Sequence, residues 1–139
     1  ELTDNFGKFG VSLYNLCRGI DKRCVEHNRG SKSLSVEDTY LSDLISVSEC
    51  RREIKNIYLK LQKRLEEKKL QDKNIKSCFI KIKYNDFKVT THQISSSNLD
   101  LNIYTSLLER ALSKKKRPIR LLGVGVIFDN HQQLNLNIY

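Results

Sequence analysis

The stretch CFIKIKY at residues 78–84 does more than any other to restrict what this chain can fold into. Cys78, Ile80, Ile82 and Tyr84 alternate with Phe79, Lys81 and Lys83, a period of two that a helix cannot place on one side. The pattern predicts a strand with one face for a core and an opposite face that is largely basic. YNDF at 84–87 supplies a turn. Val89 to Ser95 then reads as a return strand in which Lys88, Thr90 and His92 share a side. The two strands are expected to put Lys81, Lys83, Lys88 and Thr90 on one surface.

Two further strands are predicted. SKSLSVEDTY, Ser31 to Tyr40, turns Leu34 and Val36 one way and Ser33, Ser35 and Glu37 the other. IRLLGVGVIF, Ile119 to Phe128, is rich in β-branched residues, and its two glycines, Gly123 and Gly125, face the same way. That side of the strand is bare backbone, which predicts close approach by something flat or by another chain.

Helical periodicity fills the intervals. Ser46 and Glu49 have capping-box spacing, and Cys50, Ile54, Ile57, Tyr58, Leu61 and Leu65 recur at helical steps to about Lys69. Ser97 with Asp100 resembles another helix start, followed by the apolar stripe Ile103, Tyr104, Leu107, Leu108, Ala111 and Leu112. Lys114 to Arg117 and Pro118 end that helix, since proline cannot continue it and cations suit its negative end. The order from residue 31 to residue 129 is therefore βαββαβ. This predicts an α+β domain, a four-stranded sheet with two helices on one face and the other face open.

Ahead of it, Leu2, Phe6, Phe9, Leu13 and Leu16 predict one helix over 1–19, stopped by Gly19, and residues 20–30 read as a linker. Glu1 falls inside a helical pattern and the chain has no Met, so it reads as a piece of a longer protein. Cys17, Cys24, Cys50 and Cys78 form no CxxC pair and are expected to be free thiols, mostly buried, in a reducing compartment. Cys24 and His27 have the spacing of two zinc ligands, but a closed site needs four. No metal site is expected. No apolar run approaches the ~20 residues that span a bilayer, so the chain reads as soluble and intracellular.

Catalytic patterns are absent. There is no HExxH, no GxSxG and no phosphate loop, and His27, His92 and His131 stand in three separate segments. Glu37 and Asp38 are adjacent acids, which a strand turns to opposite faces. Binding is better supported, because 25 Lys and Arg stand against 16 Asp and Glu, a net charge of +9. That excess favours a polyanionic partner. Lys114, Lys115, Lys116, Arg117 and Arg120 crowd one helix-to-strand junction, and Lys32, Lys81, Lys83 and Lys88 are expected on neighbouring strands. A solvated basic face without a partner is the bland alternative. An RNA-recognition module is another, although its exposed aromatic pattern is missing and only Phe79 is a candidate.

FGKFGVSLYNLCRGID, SKSLSVEDTY, IKIKYNDFKVTTHQ, IRLLGVGVIFD and QLNLNIY, in that order, resemble the C-terminal part of a Y-family DNA polymerase of the bacterial polymerase IV type. The likeness runs over nearly the whole chain. It implies the end of the thumb followed by the little finger, or polymerase-associated, domain, whose sheet lies in the DNA major groove and holds template and primer. The family's first strand is matched by Lys32, Ser33, Glu37 and Thr39. The phosphate contacts so implied are Lys32, Ser33, Thr90, Thr91, Arg120 and Gly123, to which the basic pattern adds Lys81, Lys83, Lys88 and Arg117. Ser31 and Ser35 depart from the family's Arg and Gly, which implies a weaker or shifted hold by the first strand.

The resemblance also accounts for the uncharged end of so basic a chain. Polymerase IV enzymes end in a peptide that binds the bacterial sliding clamp, its beta subunit, and Gln133, Leu134, Leu136 and Ile138 occupy the matching positions in the tail, residues 130–139. An extended uncharged segment can seat a glutamine in a polar pocket and apolar side chains in a groove. The implied function is DNA holding and clamp docking within an error-prone translesion polymerase. Nucleotidyl transfer and its magnesium ions would belong to palm carboxylates that this stretch lacks, so no cofactor is expected here. The implied setting is the bacterial cytoplasm, at the nucleoid when DNA is bound. No oligomer is expected. A clamp-binding adaptor without DNA affinity is the remaining alternative.

Overall fold

The computed structural model describes residues 1–25 and 30–129. It divides into two compact units, Glu1–Gly30 and Ser31–Tyr139.

The first unit corrects the expectation of a single helix over 1–19. Two helices form, α1 (Leu2–Phe6) and α2 (Lys8–Cys17). Gly7 separates them with φ 54° and ψ −138°, a conformation that side chains resist. The chain then folds back so closely that a Cβ at Gly10 would collide with the Leu2 carbonyl. The end of α2 is as expected. Gly19 has φ 73°, its amide donates to the Leu16 carbonyl at 3.0 Å, and the Ile20 amide donates to Asn15 at 2.9 Å, the two bonds of a Schellman stop. Cys17 is exposed rather than buried. His27 lies outside the described residues.

The second unit is the α+β domain that the pattern predicts. Strands β1 (Ser33–Leu44), β2 (Ile75–Tyr84), β3 (Val89–Ser95) and β4 (Ile119–Phe128) form one sheet in the order β1-β4-β2-β3. Every neighbouring pair is antiparallel. Helices α3 (Val47–Glu67) and α4 (Leu101–Lys114) pack on one face. The Ser46 side chain accepts from the Glu49 amide while the Glu49 carboxylate accepts from the Ser46 amide, so the predicted capping box starts α3. The start of α4 differs from expectation. Asp100 itself is the cap, accepting from the Asn102 amide at 2.9 Å, and Ser97 takes no part.

The core lies between that face and the helices. Ile54, Ile57 and Leu61 from α3, Leu108 and Ala111 from α4, and Ile80, Ile82, Leu122 and Val124 from the sheet are 0% exposed. Each large aliphatic side chain so buried contributes roughly 1.5–3 kcal/mol. Tyr104 is as deeply buried, and its hydroxyl donates to the Gly125 carbonyl at 3.1 Å. Cys50 and Cys78 are buried free thiols, and burial pushes the Cys50 thiol up to about 11. β1 runs four residues beyond the expected Tyr40. Its pairing with β4 slips between Thr39 and Leu44, which throws Leu41 fully into solvent and returns Leu44 to the core. Among the described residues no helix is long and apolar enough to cross a membrane.

Candidate nucleic-acid interface

Antiparallel register decides which side chains meet on the uncovered face. Residues directly opposite one another point the same way, so each face of the sheet is a set of cross-strand rows. One row is Ser35, Gly125, Phe79 and Gln93, and the next is Glu37, Gly123, Lys81 and Thr91. A third is Thr39, Leu121, Lys83 and Val89. The expected surface of Lys81, Lys83, Lys88 and Thr90 therefore requires correction. Thr90 is paired with Ile82 and His92 with Ile80, which places both on the helix side. Thr91 is the residue that joins the lysines. Lys88 precedes β3 in the turn, where its carbonyl accepts from the Tyr84 amide. Alternation within one strand does not say which of its faces joins a given face of the neighbouring strand, which the register between them decides.

The bare strip of β4 has found its neighbours within the chain. A Cβ at Gly125 would collide with the Phe79 ring and lie 2.8 Å from the Ser35 Cβ. Phe79 thus lies across the glycine and is half-buried, not a free stacking surface. Gly123 has a different use. Lys81 on β2 and Glu37 on β1 reach across the intervening strand and pair at 2.8 Å over the missing side chain. Gly123 is in register with strands on both sides, so its backbone is committed to the sheet and its part is spacing rather than the expected phosphate contact. Asp38, one residue from Glu37, faces the other way and pairs with Lys60 of α3 at 2.6 Å.

The cations are consequently not equivalent. Lys81 is balanced by Glu37. In the run after α4, Arg117 and Lys115 are held by Asp86 of the β2–β3 turn at 2.9 and 3.5 Å, and Lys115 also stands 4.1 Å from the centre of the Tyr84 ring. Partial desolvation would raise the Asp86 carboxyl. The Lys88 amide and the Lys115 and Arg117 charges outweigh it and hold Asp86 below the usual carboxylate range. On the helix side, burial and the nearby Lys114 and Arg110 charges depress His92.

Lys83 and Arg120 have no ion pair among the described residues. They meet at one corner because the pairing of β2 with β4 slips there. Lys83 opposes Leu121 and Tyr84 opposes Ile119, so Arg120 is the extra residue of a β-bulge. Its guanidinium carbon lies 5.2 Å from the centre of the Phe87 ring, and the Lys83 ammonium lies 4.8 Å from the same point. Phe87 was not anticipated, since YNDF reads only as a turn. The available signal was an aromatic side chain in a turn flanked by lysines and left over from every periodic pattern.

Of the remaining expected contacts, Ser33 is on the open face and Lys32 precedes it, exposed, with its carbonyl accepting from the Phe128 amide at 2.9 Å. Gln133, Leu134, Leu136 and Ile138 lie outside the described residues. Among the described residues no group of three or more His, Cys, Asp or Glu side chains could hold a metal ion. Cations, hydroxyls and a broad uncovered sheet suit an extended polyanion.

Comparison with known proteins agrees with this geometry. Residues 31–136 match the impB/mucB/samB family C-terminal domain. DNA polymerase IV of Ralstonia nicotianae is 38% identical over 126 residues, covering 91% of this chain and 35% of that protein. The enzyme of the same name from Protochlamydia amoebophila is 40% identical over 135 residues, covering 96% and 38%. The chain thus spans little more than a third of these curated relatives. Among solved structures, the little finger domain of PolIV in complex with a beta-clamp processivity factor superposes with a TM-score of 0.67 at 28% identity, covering 76% of this chain and 99% of that one. A Y-family DNA polymerase chimera shares the fold, with a TM-score of 0.69 at 17% identity over 91% of this chain and 37% of its own.

Proposed function

The chain belongs to the impB/mucB/samB family of C-terminal domains and has the fold of the PolIV little finger, and from that premise we propose that it holds primer-template DNA by its backbone and docks on a sliding clamp. The observation that carries the DNA reading is the corner where Lys83 and Arg120 both lie against Phe87 and, among the described residues, have no ion pair, beside the sheet face opposite the helices that bears Ser33 and Thr91. Guanidinium, ammonium and hydroxyl groups can all donate to phosphate oxygens. None of them reads a base when used so, and a loose hold of this kind tolerates damaged template.

Titration of a labelled primer-template duplex across a salt series tests the reading. Affinity is expected to fall steeply, with a log-log slope of about −0.9 for each phosphate neutralised. Arg120→Ala and Lys32→Ala should weaken binding alike on two unrelated DNA sequences. A flat salt response overturns DNA holding, and sequence-dependent losses point to base readout.

Clamp docking rests on the tail residues Gln133, Leu134, Leu136 and Ile138 and on the solved complex of the similar little finger with a beta-clamp. Removal of residues 133–139 should abolish capture by a bacterial sliding clamp while leaving DNA affinity intact. Polymerase activity is proposed for a longer bacterial, cytoplasmic protein containing this domain. Its magnesium ions would be held in a palm, and grip and recruitment are this chain's share.

A further inference from the structure

The turn between β2 and β3 contains a residue in a costly conformation whose side chain the core does not use. Phe87 has φ 61°, in the left-handed region that glycine enters freely and a bulky side chain rarely does. The residue is 61% exposed. Neither backbone preference nor burial explains an aromatic residue at that place. What the ring does touch is a pair of cations from two different strands, Lys83 at the end of β2 and Arg120 in the β4 bulge.

Two like charges on long side chains separate when nothing holds them. A carboxylate between them would hold them and also cancel one of the two charges, as Asp86, one residue earlier in the chain, does between Lys115 and Arg117. An aromatic ring attracts both through its quadrupole and cancels neither. The turn therefore sorts the cations of this corner: Asp86 offsets one charge of the Lys115 and Arg117 pair, and Phe87 contacts two cations without offsetting either.

We propose that Phe87 is a positioning residue that holds Lys83 and Arg120 together as one clamp for a single backbone phosphate of nucleic acid. The proposal rests on the DNA-holding reading above and gives it a specific contact. Arg120 supplies a planar fork of donors and Lys83 a compact charge, and preorganisation by the ring removes part of the ordering cost when the phosphate arrives. The left-handed turn is the backbone conformation at which the ring centre lies 4.8 Å from the Lys83 ammonium and 5.2 Å from the Arg120 guanidinium carbon.

The test compares the unchanged chain with Phe87→Gly and Phe87→Tyr, by binding of a labelled primer-template duplex over a salt series and by thermal unfolding. Glycine relieves the left-handed backbone, so Phe87→Gly is expected to unfold at the same or a higher temperature. Its DNA affinity should nevertheless fall about threefold to fivefold, the loss of one or two exposed cation–π contacts. The salt slope should be unchanged, because no charge has been removed. Phe87→Tyr should bind like the unchanged chain. In an Arg120→Ala background Phe87→Gly should cost less than it does alone, since one of the cations it serves is gone.

Equal losses in both backgrounds, unchanged affinity of Phe87→Gly, or a loss that tracks a lower unfolding temperature would each overturn the proposal. Failure of the unchanged chain to bind DNA in a salt-dependent way overturns DNA holding and this clamp with it. Salt-dependent binding that ignores Phe87→Gly overturns the clamp alone.

Discussion

The two faces of the one sheet obey different rules. Under the helices, Ile80, Ile82, Leu122 and Val124 are 0% exposed and depend on being apolar and of the right volume. On the uncovered side, the same strands place Phe79, Lys81, Lys83, Gly123 and Gly125, and what matters there is who stands opposite whom. The glycines illustrate the contrast. A glycine among the core residues would be a cavity, whereas Gly125 receives the Phe79 ring and Gly123 lets Lys81 and Glu37 pair across a strand. The helix face stabilises the domain, and the open face sets the placement and net charge of groups offered to a partner.

The sharpest trial of that contrast uses consecutive residues. Ile80→Ala should cost about 2–5 kcal/mol in denaturant unfolding, through lost burial and a cavity. Lys81→Ala, one position along, should cost no more than about 1 kcal/mol, because its ion pair with Glu37 is substantially exposed. Similar costs would mean that the open face is structural after all.

A smaller effect is expected where the open face does bear on packing. Gly125→Val should destabilise by about 1–3 kcal/mol, since the new side chain needs the space of the Phe79 ring. Combination with Phe79→Ala should recover part of that loss, and the coupling can be read from a double-mutant cycle. Strict additivity would show that the ring and the glycine do not share one space.

The smallest change in stability, within about 0.5 kcal/mol, is expected for Glu37→Gln. Its effect on DNA should have the opposite sign to that of the cation variants. Freed from its carboxylate, Lys81 becomes available to phosphate, so affinity rises and the salt slope steepens by about 0.9 if it neutralises one more. Unchanged affinity in a salt titration would remove Lys81 from the interface.

Much of the fold was legible because its signals are local. The period of CFIKIKY, the Ser46–Glu49 box, Pro118 after the basic run and the Gly19 stop each act within a few residues, and hydrophobic periodicity identified the core-facing residues of β2, though not those of β3. Two elements failed for equally physical reasons. Gly7 broke a continuous apolar stripe, because a positive φ outweighs periodicity over so short a helix. Asp100 capped α4 in place of Ser97, as both residue types cap and spacing alone does not choose between them.

For the candidate site, sequence supplied the inventory and not the pairing. That Lys81, Lys83, Arg117 and Arg120 belong to one basic region follows from the order of elements. Register, which relates residues far apart in the chain, decided that Thr91 and not Thr90 stands beside the lysines. A bulge, visible only as a mismatch between two strands, turned Arg120 toward Phe87. Which cations keep their charge was settled by contacts of Glu37 and Asp86 across strands, since the field at a site depends on distances between side chains.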